Sequence, residues 1–209
     1  MRLSSLAIYI VILFSFAASA KEQERASLEV DDKMFLGDVV VKKGTLKKDQ
    51  LEVRGFKIQE SSVDEVAKKY KAKVYETGEG DDALYLVCLI GSDNAILEYT
   101  SGEMGGTENT LLTVSLHKNT VKYTYKKHCT KVDKAFMKQR VAGLKIGMKE
   151  DAIVKHLGEP SKKTPTMVLY YYEDKKKIKG VDFQINSVIH TRLSNGKIIS
   201  ISVTQVMNY

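Results

Sequence analysis

The residues best suited to catalysis do not form a pattern typical of an active site. Histidine occurs at His117, His128, His156 and His190, and no two of these have the i, i+4 spacing of a metal-binding helix. No G-x-S-x-G nucleophile motif is present. The Gly-rich stretch 102–106 lies between two predicted strands, whereas a phosphate-binding loop opens a helix, so we expect a hairpin turn there. The sequence therefore predicts no enzyme activity, no catalytic residue, no cofactor and no metal site.

Two pairs of carboxylates are the other candidates for acid–base chemistry. Asp81 and Asp82 are adjacent in the sequence, as are Glu173 and Asp174. In an extended chain the side chains of adjacent residues point in opposite directions, so neither pair can share one proton. Both pairs are interpreted as solvated residues in or beside turns.

Residues 1–20 have the pattern of a signal peptide. Arg2 supplies a positive charge, residues 6–16 are apolar, and Ala18-Ser-Ala20 fits a small-residue cleavage site. The apolar run is too short for a comfortable membrane span, although a retained N-terminal anchor is the alternative. We expect an exported protein, periplasmic or secreted, without stable membrane insertion.

The mature chain has two cysteines, Cys88 and Cys129. In an exported protein they can form a disulfide, which would close a loop of about 40 residues and stabilise the fold by about 4 kcal/mol on the chain-entropy model. The alternative is a buried free Cys88 and an exposed Cys129. His128 lies beside Cys129, but no second Cys/His cluster completes a metal site.

The positive charge of the chain does not indicate a nucleic-acid partner. The formal net charge is +7, but aromatic residues do not interleave with the lysines as they do in nucleic-acid-binding surfaces. The run Lys175–Lys177 is predicted to be the solvated loop of a hairpin, with weak attraction to anionic surfaces or acidic partners as the alternative.

Two parts of the chain show the same order of elements. Residues 143–209 are predicted to form a short helix, which Gly158 and Pro160 end, and then three antiparallel strands. Residues 55–118 show the same order, with a helix built on Val63, Val66, Ala67 and Tyr70. We interpret the two as tandem units that arose by duplication; a chance likeness of two helix-and-strand segments is the alternative.

The rest of the chain is divided around these units. Residues 21–54 are an N-terminal strand and turn segment, and residues 119–142 are a connector with an extended run at 121–125 and a helix at 133–141. The expected fold class is α+β: two tandem helix-plus-antiparallel-meander units forming a joint sheet with helices on one face.

Alternation along the predicted strands separates two faces of the sheet. The predicted core face carries Leu84, Leu86, Cys88, Leu97, Tyr99, Leu112, Val114, Leu116, Leu169, Tyr171, Val181, Phe183, Ile199, Ile201 and Val203. The opposite face is predicted to be open, polar and tyrosine-bearing. Tyrosine gives rigid contact area with a polar tip, as in protein-binding surfaces, although a merely solvated face is the alternative. The predicted protein-binding residues are Tyr85, Glu98, Tyr170, Tyr172, Asp182 and Gln184.

A family resemblance rests on the second unit. Gly143-Leu-Lys-Ile-Gly-Met148, a helix ending in Leu157-Gly-Glu-Pro160, and then Leu169-Tyr-Tyr171 together resemble the small domain of bacterial outer-membrane-assembly lipoproteins of the SmpA/OmlA type. In tandem, the unit is similar to the β-lactamase-inhibitor-protein (BLIP-like) fold, in which two units present a joint concave sheet. The resemblance implies binding of another protein, as an inhibitor or envelope-assembly accessory, without cofactor or catalysis. An enzyme or small-ligand carrier with a site between the two units is the alternative.

Overall fold

The computed structural model describes residues 39–78, 83–178 and 180–208. The predicted signal peptide, most of the N-terminal segment and the Asp81-Asp82 pair lie outside the described residues. The side chains of Glu103, Met104 and Thr107 are not described either. All the described residues belong to one compact unit.

Strands make up most of the described chain. In chain order they are β1 (Lys42–Lys43), β2 (Glu52–Val53), β3 (Phe56–Lys57), β4 (Tyr75–Thr77), β5 (Leu84–Ile90), β6 (Ile96–Gly102), β7 (Thr113–His117), β8 (Thr130–Lys131), β9 (Lys162–Thr164), β10 (Met167–Ile178), β11 (Val181–Ser194) and β12 (Lys197–Asn208). The α-helices of the described residues are α1 (Val63–Tyr70) and α2 (Glu150–Leu157), and short 3₁₀ helices cover Lys48–Gln50, Glu103–Glu108 and Lys126–His128.

One ten-stranded mixed sheet organises the described residues. Its strand order is β1-β10-β11-β12-β7-β6-β5-β4, with β8 beside β5 and β9 beside β10, while β2 and β3 form a separate hairpin. Strands β1 and β8 run parallel to their partners, and the other pairs are antiparallel. The two halves of the chain meet where β12 pairs with β7, from Ser200 opposite His117 to Thr204 opposite Thr113.

The predicted fold class, an α+β fold of two tandem helix-plus-meander units with helices on one face, is wrong. The described chain is mostly β, and its organising element is a single ten-stranded mixed sheet. The helices are eight residues each and bury little: Val63 and Val66 from α1, and Ile153 from α2. Strands longer than the apolar runs of the sequence, together with short strands outside the predicted units, account for the difference.

The positions of both α-helices are confirmed. Ser62 caps α1, because its hydroxyl accepts a hydrogen bond from the Glu65 N–H (3.2 Å) and its own N–H donates to the Glu65 carboxylate (3.1 Å). Gly158 ends α2 with a φ of 79°, a conformation that favours glycine.

The connector does not contain the predicted helix or strand. Residues 133–141 are irregular, because Asp93 holds them: its carboxylate accepts the N–H groups of Phe136 (2.8 Å) and Met137 (2.7 Å). The Phe136 side chain is fully buried. Residues 121–125 likewise form turns and coil, not a strand.

Two predicted turns are also different. Lys175–Lys177 and the Glu173-Asp174 pair belong to β10, which pairs with β11 out to Ile178 opposite Val181. The stretch predicted as a hairpin turn at 102–106 ends β6 and continues as the 3₁₀ helix Glu103–Glu108. Runs of charged or small residues carry no alternation, so their strand or helix state is decided by the neighbouring segments.

The two faces of the sheet have different environments. The core face, which packs in the main core, carries Val87, Leu89, Leu97, Tyr99, Val114, Leu116, Val168, Tyr170, Ile189, Ile201 and Val203. The polar face carries Glu98, Thr100, Thr113, Ser115, His117, Asp182, Gln184, His190, Arg192, Ser200, Ser202 and Thr204 on its middle strands. The predicted core residues are correct on β6 and β7, and for Ile201 and Val203 of β12.

The predicted faces are reversed on β5 and β10. Val87 and Val168 point into the main core, whereas Leu86 and Leu169 are buried on the polar face. Both strands are apolar on both faces, so alternation cannot fix their phase. A β-bulge beside Leu193 further places Ile198, instead of the predicted Ile199, in the core. Val181 is 49 % exposed at the end of the hairpin.

Candidate functional site

The predicted binding tyrosines lie on the core face. Tyr170 is fully buried, and its hydroxyl donates a hydrogen bond to the Gly158 carbonyl (2.8 Å). Tyr85 and Tyr172 are half-buried and pack against the main core. The prediction that these three side chains form an open binding face is therefore wrong, because the phase of β5 and β10 is the reverse of that expected.

The other three predicted binding residues do lie on the polar face, but not together. Glu98 is fully buried in the middle of the sheet. Asp182 and Gln184 are exposed near the end of the β10–β11 hairpin, opposite Lys177 and Lys175 respectively. Of these three residues, Asp182 and Gln184 are accessible to a partner and Glu98 is not.

A ladder of hydroxyl groups crosses the polar face where the two halves of the chain meet. The Thr113 and Thr204 hydroxyls are 2.9 Å apart, and those of Ser115 and Ser202 are 2.8 Å apart. Small hydroxyl side chains directly opposite each other in an antiparallel pair hydrogen-bond across the strands. The ladder joins the two halves through polar contacts on this face, as apolar contacts join them on the core face.

Two histidines lie beside the hydroxyl ladder and are neutral near neutral pH. The Nδ1 atom of His117 is 2.8 Å from the Ser200 hydroxyl. Burial lowers the pKa of His117 to about 4, and the charges of Arg192 and His190 add to the effect. Burial and the Arg192 charge lower the pKa of His190 to about 4 as well. Neither imidazole carries a charge with which to attract an anion.

Glu98 keeps its proton up to an unusually high pH. Burial raises the pKa of its carboxyl to about 8, although a hydrogen bond from the Thr100 hydroxyl (3.3 Å) opposes the shift. Its Oε2 atom has no hydrogen-bond partner among the described residues. Neighbours on the same row of the sheet are Ser115 and Cys88, neither of which carries a charge.

The connector covers the polar face over β5 and β6. Tyr123 packs with Leu86, Cys88 and Ile96, and its ring lies 5.4 Å from that of His117. The Tyr123 hydroxyl and the His117 Nε2 atom are both buried without a partner among the described residues. Glu98 Oε2, His117 Nε2 and Tyr123 Oη are thus three unpartnered polar atoms in the part of this face near the connector.

The connector is fixed in place by a disulfide, which confirms the predicted pairing. Cys88 and Cys129 are bonded, with Cα atoms 4.5 Å apart, and the alternative of free thiols is excluded. His128, next to the bridge, stacks on Tyr75 with ring centroids 3.8 Å apart. The described residues contain no group of three or more His, Cys, Asp or Glu side chains that could hold a metal ion.

Beyond the connector, the polar face on β10, β11 and β12 has half-exposed hydrogen-bonding side chains. The Tyr171 hydroxyl donates to the Glu173 carboxylate (2.8 Å) and lies 3.4 Å from Asn186 Oδ1. Tyr171 was expected in the core, and Asn186 was not singled out by the sequence. Their position follows from the β10–β11 register, which the sequence does not specify.

Comparison with known proteins adds no family to these observations. No protein-family model, curated protein or solved structure matches the chain. Within the described ranges, no helix is both long and apolar enough to cross a membrane.

Proposed function

We propose that the chain is an exported, non-catalytic protein-binding module whose partner binds the part of the polar face that the connector leaves open. We call this part the open patch: Tyr171, Gln184, Asn186, Ser202 and Thr204. Its members are half-exposed or exposed and lie on the three adjacent strands β10, β11 and β12. In the described part of the chain, the buried residues of both α-helices belong to the main core, on the other side of the sheet. This unequal covering of the two faces carries the proposal.

The residue types of the open patch favour a protein as the partner. A tyrosine ring offers rigid contact area, and amide and hydroxyl groups offer both donors and acceptors for main-chain and side-chain groups. Such a mixture of polar and aromatic surface is typical of interfaces that form and dissociate.

The disulfide and the family resemblance support export and binding. A disulfide persists in oxidising compartments, which favours a periplasmic or secreted location. The resemblance of the second half to outer-membrane-assembly lipoproteins, and of the tandem arrangement to BLIP-like inhibitors, points to proteins whose known role is to bind other proteins. The signal peptide remains a sequence prediction.

A small-ligand carrier is the second candidate. The unpartnered atoms Glu98 Oε2, His117 Nε2 and Tyr123 Oη favour it, since a buried polar atom without a partner costs about 1–3 kcal/mol. A neutral ligand with hydroxyl or amide groups would match their uncharged state. Native mass spectrometry separates the two candidates. A carrier should retain a small molecule, and Glu98→Gln should weaken its binding, whereas a protein-binding module should show only the mass of the chain.

Site-specific crosslinking tests the proposed function. A photo-crosslinking residue is placed at Gln184 or Thr204, within the open patch, and at Lys73 or Lys138 as exposed controls. In the cells that make the protein, both patch positions should capture the same partner and the control positions should not. Equal capture from patch and control positions, or capture from the controls alone, would rule out this face.

A substitution then links capture to function. Gln184→Arg places a longer, charged side chain in the open patch at an exposed position, so the melting temperature should change little. Binding to the captured protein should weaken by about tenfold or more if the residue lies near the centre of the interface.

A further inference from the structure

The β10–β11 hairpin extends beyond the rest of the sheet. On one side, β1 stops pairing with β10 at Glu173. On the other side, the last residue of β12 paired with β11 is Asn208, opposite Gln184. Among the described residues, Lys176, Lys177 and Ile178 and their partners on β11 therefore form a two-stranded ribbon, and Lys175 lies on the outer edge of β10 just before it. From Lys175 to Ile178, the end of β10 spans about 10 Å at the usual rise of a strand.

This hairpin tip combines positive charge with exposed apolar surface. Lys175, Lys176 and Lys177 are exposed, and none of them forms an ion pair with a described carboxylate. Val181 is 49 % exposed and lies opposite Ile178, which is half-exposed. Among the described residues, Val40 and Val41, which precede β1, are the other large apolar side chains with about half or more of their surface exposed.

Protection of a strand edge explains only part of this composition. Lysines on an unpaired edge discourage pairing with other chains. An exposed Val181 opposite Ile178 does the reverse, because it adds β-forming apolar surface at the end of the ribbon. Lysines around a small apolar tip are instead typical of segments that lie at a membrane surface, where the charges meet lipid phosphates and the apolar groups enter the interfacial layer.

We propose that the hairpin tip binds reversibly to the surface of an anionic phospholipid bilayer. Lys175 and Lys177 project on the polar face and Lys176 on the core face, so a bilayer that meets the ribbon end-on contacts all three. Ile178 and Val181 are the last paired residues before the turn, so their side chains reach the layer of headgroups. The open patch adjoins the tip, because Gln184 lies opposite Lys175, but the bilayer contact uses different side chains and does not require the protein partner proposed above.

Vesicle co-sedimentation tests this contact. The protein is purified from its native compartment, so that any leader has been removed. It is then mixed with vesicles of phosphatidylcholine, either alone or with phosphatidylglycerol added. We expect binding to the anionic vesicles only, weakening as salt rises from about 0.05 to 0.5 M because the charges are screened. Absence of binding to anionic vesicles at low salt would overturn the proposal.

Matched variants assign the binding to the tip. Lys175→Ala/Lys176→Ala/Lys177→Ala should bind anionic vesicles about a hundredfold more weakly, at about fivefold per lysine. The control Lys48→Ala/Lys73→Ala/Lys138→Ala removes the same charge from exposed positions elsewhere and should bind within about threefold of the unchanged protein. Val181→Asp should also weaken binding, with circular dichroism showing that every variant is folded.

Two results would contradict the assignment. Equal loss in the tip and control variants would show that overall charge, not the tip, drives binding. Binding of the tip to polyglutamate with no binding to anionic vesicles would show that it recognises an acidic polypeptide, and the lipid proposal would fail.

Discussion

Glu98 is the side chain whose ionisation is coupled most directly to folding. Its pKa in the folded protein, about 8, lies above its usual value of 4.5 because the carboxyl is buried. Between these two values the unfolded chain loses the proton and the folded protein keeps it. Glu98 therefore makes the folded state less stable as pH rises from about 4.5 to about 8.

The two buried histidines act in the opposite direction over a lower range. Their pKa values in the folded protein, about 4, lie below the usual value of 6.5. Between pH 4 and 6.5 the unfolded chain binds protons that the folded protein does not, so stability rises with pH in this range. Glu98 and the histidines partly cancel below pH 6.5, and the effect of Glu98 should stand alone between pH 6.5 and 8.

Glu98→Gln should remove the decline above pH 6.5. The amide has the shape of the protonated acid and cannot ionise, so we expect this variant to be more stable than the unchanged protein at pH 8, on the order of a few kcal/mol. Urea denaturation at pH 5, 6.5 and 8 measures the difference. The same pH dependence in both proteins would show that Glu98 does not ionise on unfolding in this range.

Tyr170 provides a second test at the scale of the residue. Because its ring is fully buried, Tyr170→Ala should cost about 3–5 kcal/mol of unfolding free energy. Tyr170→Phe removes only the hydrogen bond to the Gly158 carbonyl and should cost about 1 kcal/mol. Denaturant midpoints give both values. A negligible change in the unfolding free energy of the alanine variant would show that Tyr170 lies on an exposed face, as the sequence predicted.

At the scale of the element, the connector depends on contacts that are distant in sequence. Tyr123 packs over β5 and β6, Cys129 is bonded to Cys88, and Asp93 holds the backbone at Phe136 and Met137. Burial raises the pKa of Asp93, but hydrogen bonds from the N–H groups of Met137, Phe136 and Ala95 together lower it below its usual value. The ionised Asp93 therefore organises a segment that has no regular secondary structure.

Removing the disulfide should destabilise the protein through the connector. The bond joins residues 41 positions apart, and its loss in Cys88→Ala/Cys129→Ala should cost about 4 kcal/mol on the chain-entropy model. In the unchanged protein, mass spectrometry should show that neither cysteine is alkylated until a reductant is added. An unaltered denaturant midpoint in the double variant would mean that the connector holds its place without the bond.

At the scale of the whole molecule, the sheet runs without interruption from one half of the chain to the other. Five residue pairs join β7 to β12, and the main core contains residues from both halves, including Leu116 and Val203. Neither half can bury its share of this core alone. Duplication of the two halves remains a hypothesis.

Residues 39–208 should therefore unfold in a single cooperative transition. Calorimetry should give a van't Hoff enthalpy equal to the calorimetric enthalpy, as in a two-state domain. Two resolved transitions, or a stable fragment ending before residue 119, would show that the halves fold independently.

Local patterns in the sequence determined the two α-helices and part of the sheet, and a chain with two cysteines offers a single possible disulfide. The apolar spacing of Val63, Val66, Ala67 and Tyr70 and the stop at Gly158 and Pro160 are signals contained within a few residues of chain, so the positions of α1 and α2 could be predicted. Alternation specified the faces of β6 and β7, because each of these strands has one apolar and one polar side. Alternation along β11 likewise placed Asp182 and Gln184 on the polar face.

Only the tertiary structure decided the faces of β5 and β10, the burial of Glu98 and the form of the connector. Leu86 and Val87 are both buried, because the connector covers the side of β5 that the main core does not. A strand apolar on both sides has no alternation to fix its phase, and Tyr85 and Tyr170 were therefore assigned to the wrong face. Glu98 is buried and Asp93 bonds to Phe136 because chain segments distant in sequence pack beside them, and periodicity within a strand contains no information about those neighbours.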